Sequence, residues 1–164
     1  YIVYLTFISA WMVSQQLSAL SITSVWVILG LCICISPFFW KPIFERFDDG
    51  TPLSLILVTI AAGSSIPVLF PSFLGLIVSA VIFGLSVFMA PGAITNFTRK
   101  NLHENNWAYS ISVFTIIFAL AQTIGPFAAG VLGDWLENIG ASLLIASMVM
   151  IIGAFCAYSQ KSMR

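Results

Sequence analysis

Long runs of apolar residues divide this chain into six segments that are separated by short polar connections. A membrane-spanning helix needs about 20 mostly apolar residues, because the hydrocarbon layer is about 30 Å thick and a helix rises about 1.5 Å per residue. The first segment is shorter than this, and we expect it to be a span that has lost its opening turns in a fragment of a longer chain. The pattern predicts an all-α polytopic transmembrane helical bundle, with one transmembrane domain over 1–164. The six predicted spans are 1–13, 22–40, 52–70, 72–90, 107–132 and 139–158.

Proline, glycine and polar residues mark the ends of the predicted spans. The pair Lys41–Pro42 is expected to end the second span, because proline inside a helix removes a hydrogen bond. Thr51 and Pro52 are typical of an N-cap and a first helical position, so they predict the start of the third span. The pair Pro91–Gly92 is expected to end the fourth span and to open a connection that continues to Asn106.

Positive charges occur only in alternate connections. Because Lys and Arg are retained on the cytoplasmic side of a membrane, their distribution predicts the orientation of the chain. The connections at 14–21 and 133–138 and the turn at Pro71 contain no Lys or Arg. We therefore expect the C-terminus to lie in the cytoplasm. The six cationic residues on this side are Lys41, Arg46, Arg99, Lys100, Lys161 and Arg164.

The composition is typical of a membrane protein and argues against several functions. Hydrophobic residues make up 60% of the chain and charged residues 7%, whereas about a quarter of the residues of soluble proteins are charged. A net charge of zero provides no basic surface for nucleic acid. No Asp, Glu, Lys, Arg or His lies within a predicted span, so these residues supply no catalytic or metal-binding group at membrane depth. We predict that the chain is not an enzyme and needs no metal or cofactor.

The fifth predicted span carries a continuous face of small and polar residues. Lipid gives no reason to bury such a face, so it is expected to allow close helix packing or to line a polar cavity. Gln122 is its most informative member, because an unpaired amide at membrane depth costs on the order of a few kcal/mol. Two interpretations of Gln122 remain open, a hydrogen bond between helices and a contact with a solute. Phe118 is predicted to lie largely off this face. The face consists of Ala108, Ser112, Thr115, Ala119, Gln122, Pro126 and Ala129.

The first and fourth spans also carry polar side chains. Tyr1 and Tyr4 are expected to face protein or water, because a deep phenol hydroxyl is unfavourable in lipid. Thr6 lies on the same stripe of the first span, and Ser79 and Ser86 share one side of the fourth. For each Ser or Thr the alternative is a hydrogen bond to the preceding turn of its own helix.

A glycine–proline pair lies within the fifth span. Proline at membrane depth frees a backbone carbonyl and bends the helix, and small neighbours let another helix approach the bend. Gly125, Pro126, Ala129 and Gly130 are therefore expected to take part in packing or in conformational change. The segment Ala121–Gly130 resembles the Gly-Pro-x-x-Gly-Gly motif of major facilitator superfamily transporters, with Ala at positions 121 and 129 in place of Gly.

Three segments of the chain are similar to the YbfB/YjiJ branch of this superfamily. They are Tyr1–Phe7, Pro91–Lys100 and Phe118–Pro126. The charged cytoplasmic loops add to the resemblance. The loop residues concerned are Glu45 and Arg46 after the second span, and Arg99 and Lys100 after the fourth.

The resemblance implies that the chain is the C-terminal six-helix half of a major facilitator superfamily fold, with lipid and an N-terminal six-helix half as partners. It further implies a secondary active transporter that moves a small solute across a bacterial inner membrane by alternating access, with the solute bound near the midplane. Spans one and four would line the cavity, spans two and five would meet the other half, and spans three and six would face lipid. The candidate solute contacts are Tyr1, Tyr4, Thr6, Ser79, Ser86, Thr115 and Gln122. The alternative is a non-transporting six-helix subunit or scaffold that binds other helices.

Overall fold

The computed structural model describes residues 1–163, and Arg164, one of the cations used to predict the orientation, lies outside the described residues. The described residues form seven α-helices and one short 3₁₀ helix and contain no strand, which confirms the all-α class. The α-helices are α1 (Ile2–Ser14), α2 (Ala19–Arg46), α3 (Thr51–Leu69), α4 (Phe73–Gly84), α5 (Met89–Asn101), α6 (Trp107–Trp135) and α7 (Ile139–Tyr158), and the 3₁₀ helix is Glu104–Asn106.

Five helical segments within residues 1–163 are long and apolar enough to cross a membrane. α4 and α5 together form one of them, Phe73–Asn101. α1 has 13 residues and is shorter than a span. The helical lengths and their composition therefore indicate an integral membrane protein. The other four segments are Ala19–Arg46, Thr51–Leu69, Glu104–Trp135 and Ile139–Tyr158.

The prediction that the second span ends at Lys41–Pro42 is wrong. α2 continues through Pro42 and ends at Arg46. Its last turn remains helical because side chains of α5 satisfy its terminal carbonyl groups. Lys100 Nζ lies 2.7 Å from the Phe44 carbonyl oxygen, and Asn96 Nδ2 donates to the same oxygen at 3.2 Å.

The prediction that Pro91–Gly92 ends the fourth span is also wrong. The helix is interrupted earlier, between Gly84 and Met89, and Pro91 lies in the first turn of α5. Proline is compatible with a first turn because the amide groups there have no partner within the helix. The predicted loop is therefore helical as far as Asn101.

The third and fifth spans also begin or end differently from the prediction. Thr51 is the first residue of α3 rather than its N-cap, and its backbone amide donates to Asp49 Oδ1 at 2.9 Å. Gly50 is the capping residue, and its amide donates to the Gln160 carbonyl at 2.9 Å. α6 continues to Trp135 instead of ending at position 132.

α3 contacts its neighbours through two hydroxyl hydrogen bonds and one close approach at a glycine. Thr59 Oγ1 donates to Ser86 Oγ in the segment between α4 and α5, at 2.8 Å. Ser64 and Ser147 join α3 to α7 through their hydroxyls, also at 2.8 Å. At Gly63 a side chain would collide with α4, because an added Cβ would lie 2.8 Å from the Phe83 backbone nitrogen. Small residues and short polar side chains let helices approach closely in a membrane, and α3 uses both.

α6 differs from the other long helices because none of its residues is buried within the described chain. It contacts α1, α5 and α7 along one side. Large apolar side chains such as Ile116, Ile124 and Phe127 are 60–75% exposed on the rest of its surface. α6 therefore presents most of its surface to lipid or to another protein domain.

Candidate functional site

The segment Leu85–Phe88 interrupts the helix between α4 and α5. Trp40 of α2 donates its indole N–H to the Leu85 carbonyl oxygen at 2.7 Å, and Ser86 accepts the hydrogen bond from Thr59. Non-helical backbone at membrane depth is tolerated where protein or a polar cavity surrounds it. Discontinuous helices of this kind form solute sites in several transporter folds.

Four side chains meet beside this interruption and form what we call the aromatic–amide cluster, Tyr1, Phe88, Phe118 and Gln122. The Tyr1 ring stacks on Phe118 with centroids 5.6 Å apart, and it meets Phe88 edge-on at 6.1 Å. Gln122 Nε2 donates a hydrogen bond to Tyr1 Oη. Phe88 is 46% exposed, and the other three are half-buried. The cluster therefore joins α1, α6 and the start of α5 on an accessible surface.

The sequence pattern identified Gln122 but missed the two phenylalanines of the cluster. Phe118 was predicted to lie largely off the polar face of α6, yet its ring contacts the same tyrosine that Gln122 contacts. The signal was present in the spacing, because positions four apart on a helix lie on the same side. Phe88 could not be found in this way, since its position depends on the interruption between α4 and α5.

Thr6 and Thr115 lie on exposed surfaces of α1 and α6. Each donates its hydroxyl proton to the carbonyl four residues earlier in its own helix, at 2.8 Å. This is the alternative stated for Ser and Thr in the sequence analysis, a hydrogen bond to the preceding turn of the same helix. The hydroxyl oxygens keep the capacity to accept a hydrogen bond from a solute.

Tyr4, Ser79 and Ser86 are buried behind the cluster, at 1%, 0% and 2% exposure. Ser79 Oγ donates to the Gly63 carbonyl at 2.6 Å and lies 2.7 Å from Tyr4 Oη. Because a serine hydroxyl has one proton, Tyr4 must be the donor in the bond between them. The Tyr4 ring also stacks on Phe83 at 4.0 Å. These residues connect α1, α3 and α4, whereas Tyr1 and Gln122 meet on the open surface.

The glycine–proline segment of α6 does not interrupt the helix. Pro126 lies inside α6, and Gly125 faces α1, where an added Cβ would lie 3.7 Å from a Val3 methyl group. Gly130 faces α1 in the same way, because a Cβ added there would lie 3.6 Å from the Phe7 ring. The small residues of this segment thus lie against α1.

A cavity of about 280 Å³ lies between α1, α6 and α7 and extends from the aromatic–amide cluster. Tyr1, Gly125 and Ala129 form part of its wall. The Ala129 carbonyl accepts a hydrogen bond from Ser142 of α7 at 2.8 Å, so the hydroxyl nearest to the cavity is already paired. The cavity is therefore lined mainly by apolar groups, and Tyr1 is the residue that it shares with the cluster.

The four charged loop residues of the resemblance, Glu45, Arg46, Arg99 and Lys100, form no ion pair with one another within residues 1–163. Lys100 forms an ion pair with Asp48 at 2.7 Å and donates to carbonyls at the end of α2. Glu45 faces Lys41 at 3.8 Å on an exposed surface. The two arginines lie over aromatic rings, with Arg46 5.5 Å from the Phe47 centroid and Arg99 5.5 Å from that of Trp107.

The segment before Arg164 contacts the same region around Asp48 and Lys100. Asn101 Nδ2 donates to the Asp48 carbonyl at 2.7 Å, and Asn101 Oδ1 accepts from the Met163 amide at 2.8 Å. The ends of α2, α5 and the chain are therefore held together by hydrogen bonds. Among residues 1–163, no three His, Cys, Asp or Glu side chains lie close enough together to hold a metal ion.

The comparisons with known proteins agree with this architecture. The sequence model of a family described as "Uncharacterised MFS-type transporter YbfB" matches residues 1–158. No curated protein and no solved structure matches the chain. Because the match covers nearly all of the 164 residues, the chain belongs to the YbfB-type family of major facilitator superfamily transporters.

Proposed function

We propose that this chain is the C-terminal six-span half of a secondary active transporter that moves a small solute by alternating access. Membership of a transporter family supports the class. The observation that carries the proposal is the aromatic–amide cluster, which combines exposed rings with a hydrogen-bonded amide next to an interrupted helix. Discontinuous helices near the midplane are where secondary transporters bind solutes.

In this proposal the solute contacts the open surface of the described helices. Tyr1 and Gln122 provide the central hydrogen-bonding groups, and Thr6 and Thr115 provide acceptor oxygens on the neighbouring turns. Three buried residues hold the helices that carry these contacts, because their hydrogen bonds fix α1 and the segment after α4 against their neighbours. They are Tyr4, Ser79 and Ser86.

The uncovered surface of α6 supports the remaining parts of the proposal. A helix with no buried residue needs a partner, and an N-terminal six-span half of the same protein would cover part of it. Lipid would cover the rest. We further propose that the protein lies in a bacterial inner membrane with its C-terminus in the cytoplasm, on the strength of the positive charges in alternate connections.

The orientation is tested by labelling from outside the cell. Single cysteines are placed at positions 46, 100, 137 and 161 of a full-length protein whose native cysteines are replaced. An impermeant maleimide should label position 137 only. Labelling of position 46, 100 or 161 without position 137 would contradict the proposed orientation.

The transport proposal is tested with the full-length protein in proteoliposomes and a panel of labelled neutral, anionic and cationic solutes. We expect uptake or counterflow of at least one solute, and a loss of about tenfold or more in Gln122→Ala, since one hydrogen bond to a solute is typically worth about 1 kcal/mol and the cluster would also be opened. Thr123→Val is the matched control, because Thr123 is exposed on the same helix and bonds only to its own preceding turn. Absence of transport for every solute would contradict the proposal and favour a non-transporting subunit.

A further inference from the structure

The hydrogen bond between Tyr1 and Gln122 leaves part of each group unused. Gln122 donates through Nε2, so its Oε1 atom and the Tyr1 hydroxyl proton have no other partner among residues 1–163. If the amide is rotated, the roles reverse and the pair still presents an N–H donor and a phenol lone pair. In both orientations one donor and one acceptor lie side by side on the surface of the cluster.

Two phenyl rings flank this donor–acceptor pair. Phe118 stacks on Tyr1 and Phe88 meets it edge-on, which leaves Phe88 46% exposed. Aromatic rings bind other planar groups through offset stacking and edge contacts, and each such contact adds to the effect of burying apolar area. The surroundings of the pair thus favour a flat ligand with an apolar face.

The cluster also lacks a fixed charge. No Asp, Glu, Lys, Arg or His lies within ten residues of Phe88, Phe118 or Gln122 along the chain. A charged ligand group packed against these rings would lose part of its hydration without gaining an opposite charge from these segments, which is unfavourable. A neutral group that both accepts and donates would instead satisfy the cluster's free donor and acceptor.

We infer that the aromatic–amide cluster binds the uncharged amide-like end of a solute, such as a carboxamide, lactam or ureido group attached to a planar ring. This inference rests on the proposed function, since it names the chemical class that the transporter would carry. A carboxamide presents an acceptor oxygen and a donor nitrogen bonded to the same carbon, which matches Tyr1 and Gln122. The ring lies against Phe88 and Phe118, and an apolar substituent extends into the neighbouring cavity of about 280 Å³.

The test compares three aromatic probes of similar size, benzamide, benzoate and benzylamine, which at neutral pH are neutral, anionic and cationic. Dissociation constants for the full-length protein in nanodiscs are measured by ligand-observed NMR, which detects weak binding. We expect benzamide to bind at least about tenfold more tightly than either charged probe, because those lose hydration at the cluster. Equal or tighter binding of benzoate or benzylamine would overturn the inference, as would no binding of benzamide.

Two variants link the selectivity to the cluster. Gln122→Met keeps the length of the side chain without its amide, and Tyr1→Phe removes only the hydroxyl. Each should weaken benzamide binding by about three- to tenfold, the usual effect of one hydrogen bond, while Thr123→Val should not change it. An unchanged benzamide affinity in both variants would overturn the inference. If one variant does not fold, the benzamide affinity of the other decides the case.

The failure of this inference can be distinguished from the failure of the proposed function. Transport of a charged solute that does not depend on Gln122 would remove the amide assignment and leave the transporter in place. Benzamide binding that depends on Gln122, without transport of any solute, would keep the binding class and remove the transporter.

Discussion

The centre of the bundle and its outer helix α6 contain similar polar residues but use them differently. On α3, the hydroxyls of Thr59 and Ser64 form hydrogen bonds to side-chain hydroxyls outside that helix. On α6, Ser112 and Thr115 bond only to their own preceding turns, and Gln122 alone among the polar residues of the predicted face reaches another helix. Polar side chains thus serve helix association in one region and remain accessible in the other.

This difference follows from the contacts that hold each helix in place. Helices in a membrane gain little from apolar contact with each other, because lipid tails are equally apolar. Close packing and interhelical hydrogen bonds hold α3 in place, so its polar groups are already occupied. α6 is uncovered, and its polar groups remain available for a solute or another domain. Substitutions in the two regions should therefore change different measured quantities.

The largest expected effect on stability is at the closest approach of α3 and α4. In Gly63→Ala the new Cβ would lie 2.8 Å from the Phe83 backbone nitrogen, so the two helices must separate. We expect a loss of about 2–3 kcal/mol in the free energy of unfolding, as for other overpacked cores. The measurement is thermal unfolding of the purified full-length protein.

The matched control for this prediction is Gly30→Ala in α2. No atom lies within 4 Å of a Cβ added there, so the substitution should leave stability unchanged or raise it by up to about 1 kcal/mol through helix propensity. Equal effects of the two substitutions would show that the α3–α4 contact is not closely packed.

The second prediction removes a buried hydroxyl from the same region. Ser79→Ala leaves the Gly63 carbonyl and the Tyr4 hydroxyl without a common partner, at a site with 0% exposure. The expected loss is about 1–2 kcal/mol, the upper range for hydrogen bonds between membrane helices. Ser112→Ala is the control on α6, where only an exposed bond to the preceding turn is lost, and a change of about 0.5 kcal/mol or less is expected.

The third prediction concerns the contact between the ends of α2 and α5. Lys100→Met removes the ion pair with Asp48 and the groups that cap α2, and we expect a loss of about 1–2 kcal/mol. Lys41→Met is the control, because the pair formed by Lys41 and Glu45 is 3.8 Å apart and about 70% exposed. Exposed pairs of this kind contribute about 0–1 kcal/mol. Thermal unfolding at low and high salt measures both, and an equal loss in the two variants would contradict the capping role.

The sequence was sufficient for the all-α class and for most helical segments, but not for where α2 ends. Pro42 was expected to stop α2, and in isolation that expectation is reasonable. The helix continues because Lys100, distant in sequence, caps its last carbonyls. Pro91 shows the same limit, since a proline ends or begins a helix according to where the preceding interruption falls. Such ends depend on tertiary contacts that local pattern does not contain.

For the candidate site, the chemical type of a residue was a better guide than the helix face to which the sequence pattern assigned it. Gln122 was identified because an amide at membrane depth needs a partner, and the structure shows one in Tyr1. Tyr4 was predicted by similar reasoning, yet its hydroxyl is satisfied by Ser79 in the interior. One-dimensional periodicity cannot distinguish a polar group that faces a cavity from one that faces a neighbouring helix.

Gln122→Met is expected to change stability least, and it distinguishes α6 from α3 most clearly. Its hydrogen bond to Tyr1 is half-exposed, so its loss should lower the free energy of unfolding by about 1 kcal/mol or less. Transport should nevertheless fall by about tenfold in kcat/KM if a solute bonds to the same amide. Ser79→Ala should show the opposite balance, with the larger change in melting temperature and the smaller change in KM. Melting temperature and transport are therefore measured for both variants. If transport by Gln122→Met fell only in proportion to its loss of stability, Gln122 would act as a packing residue like those of α3.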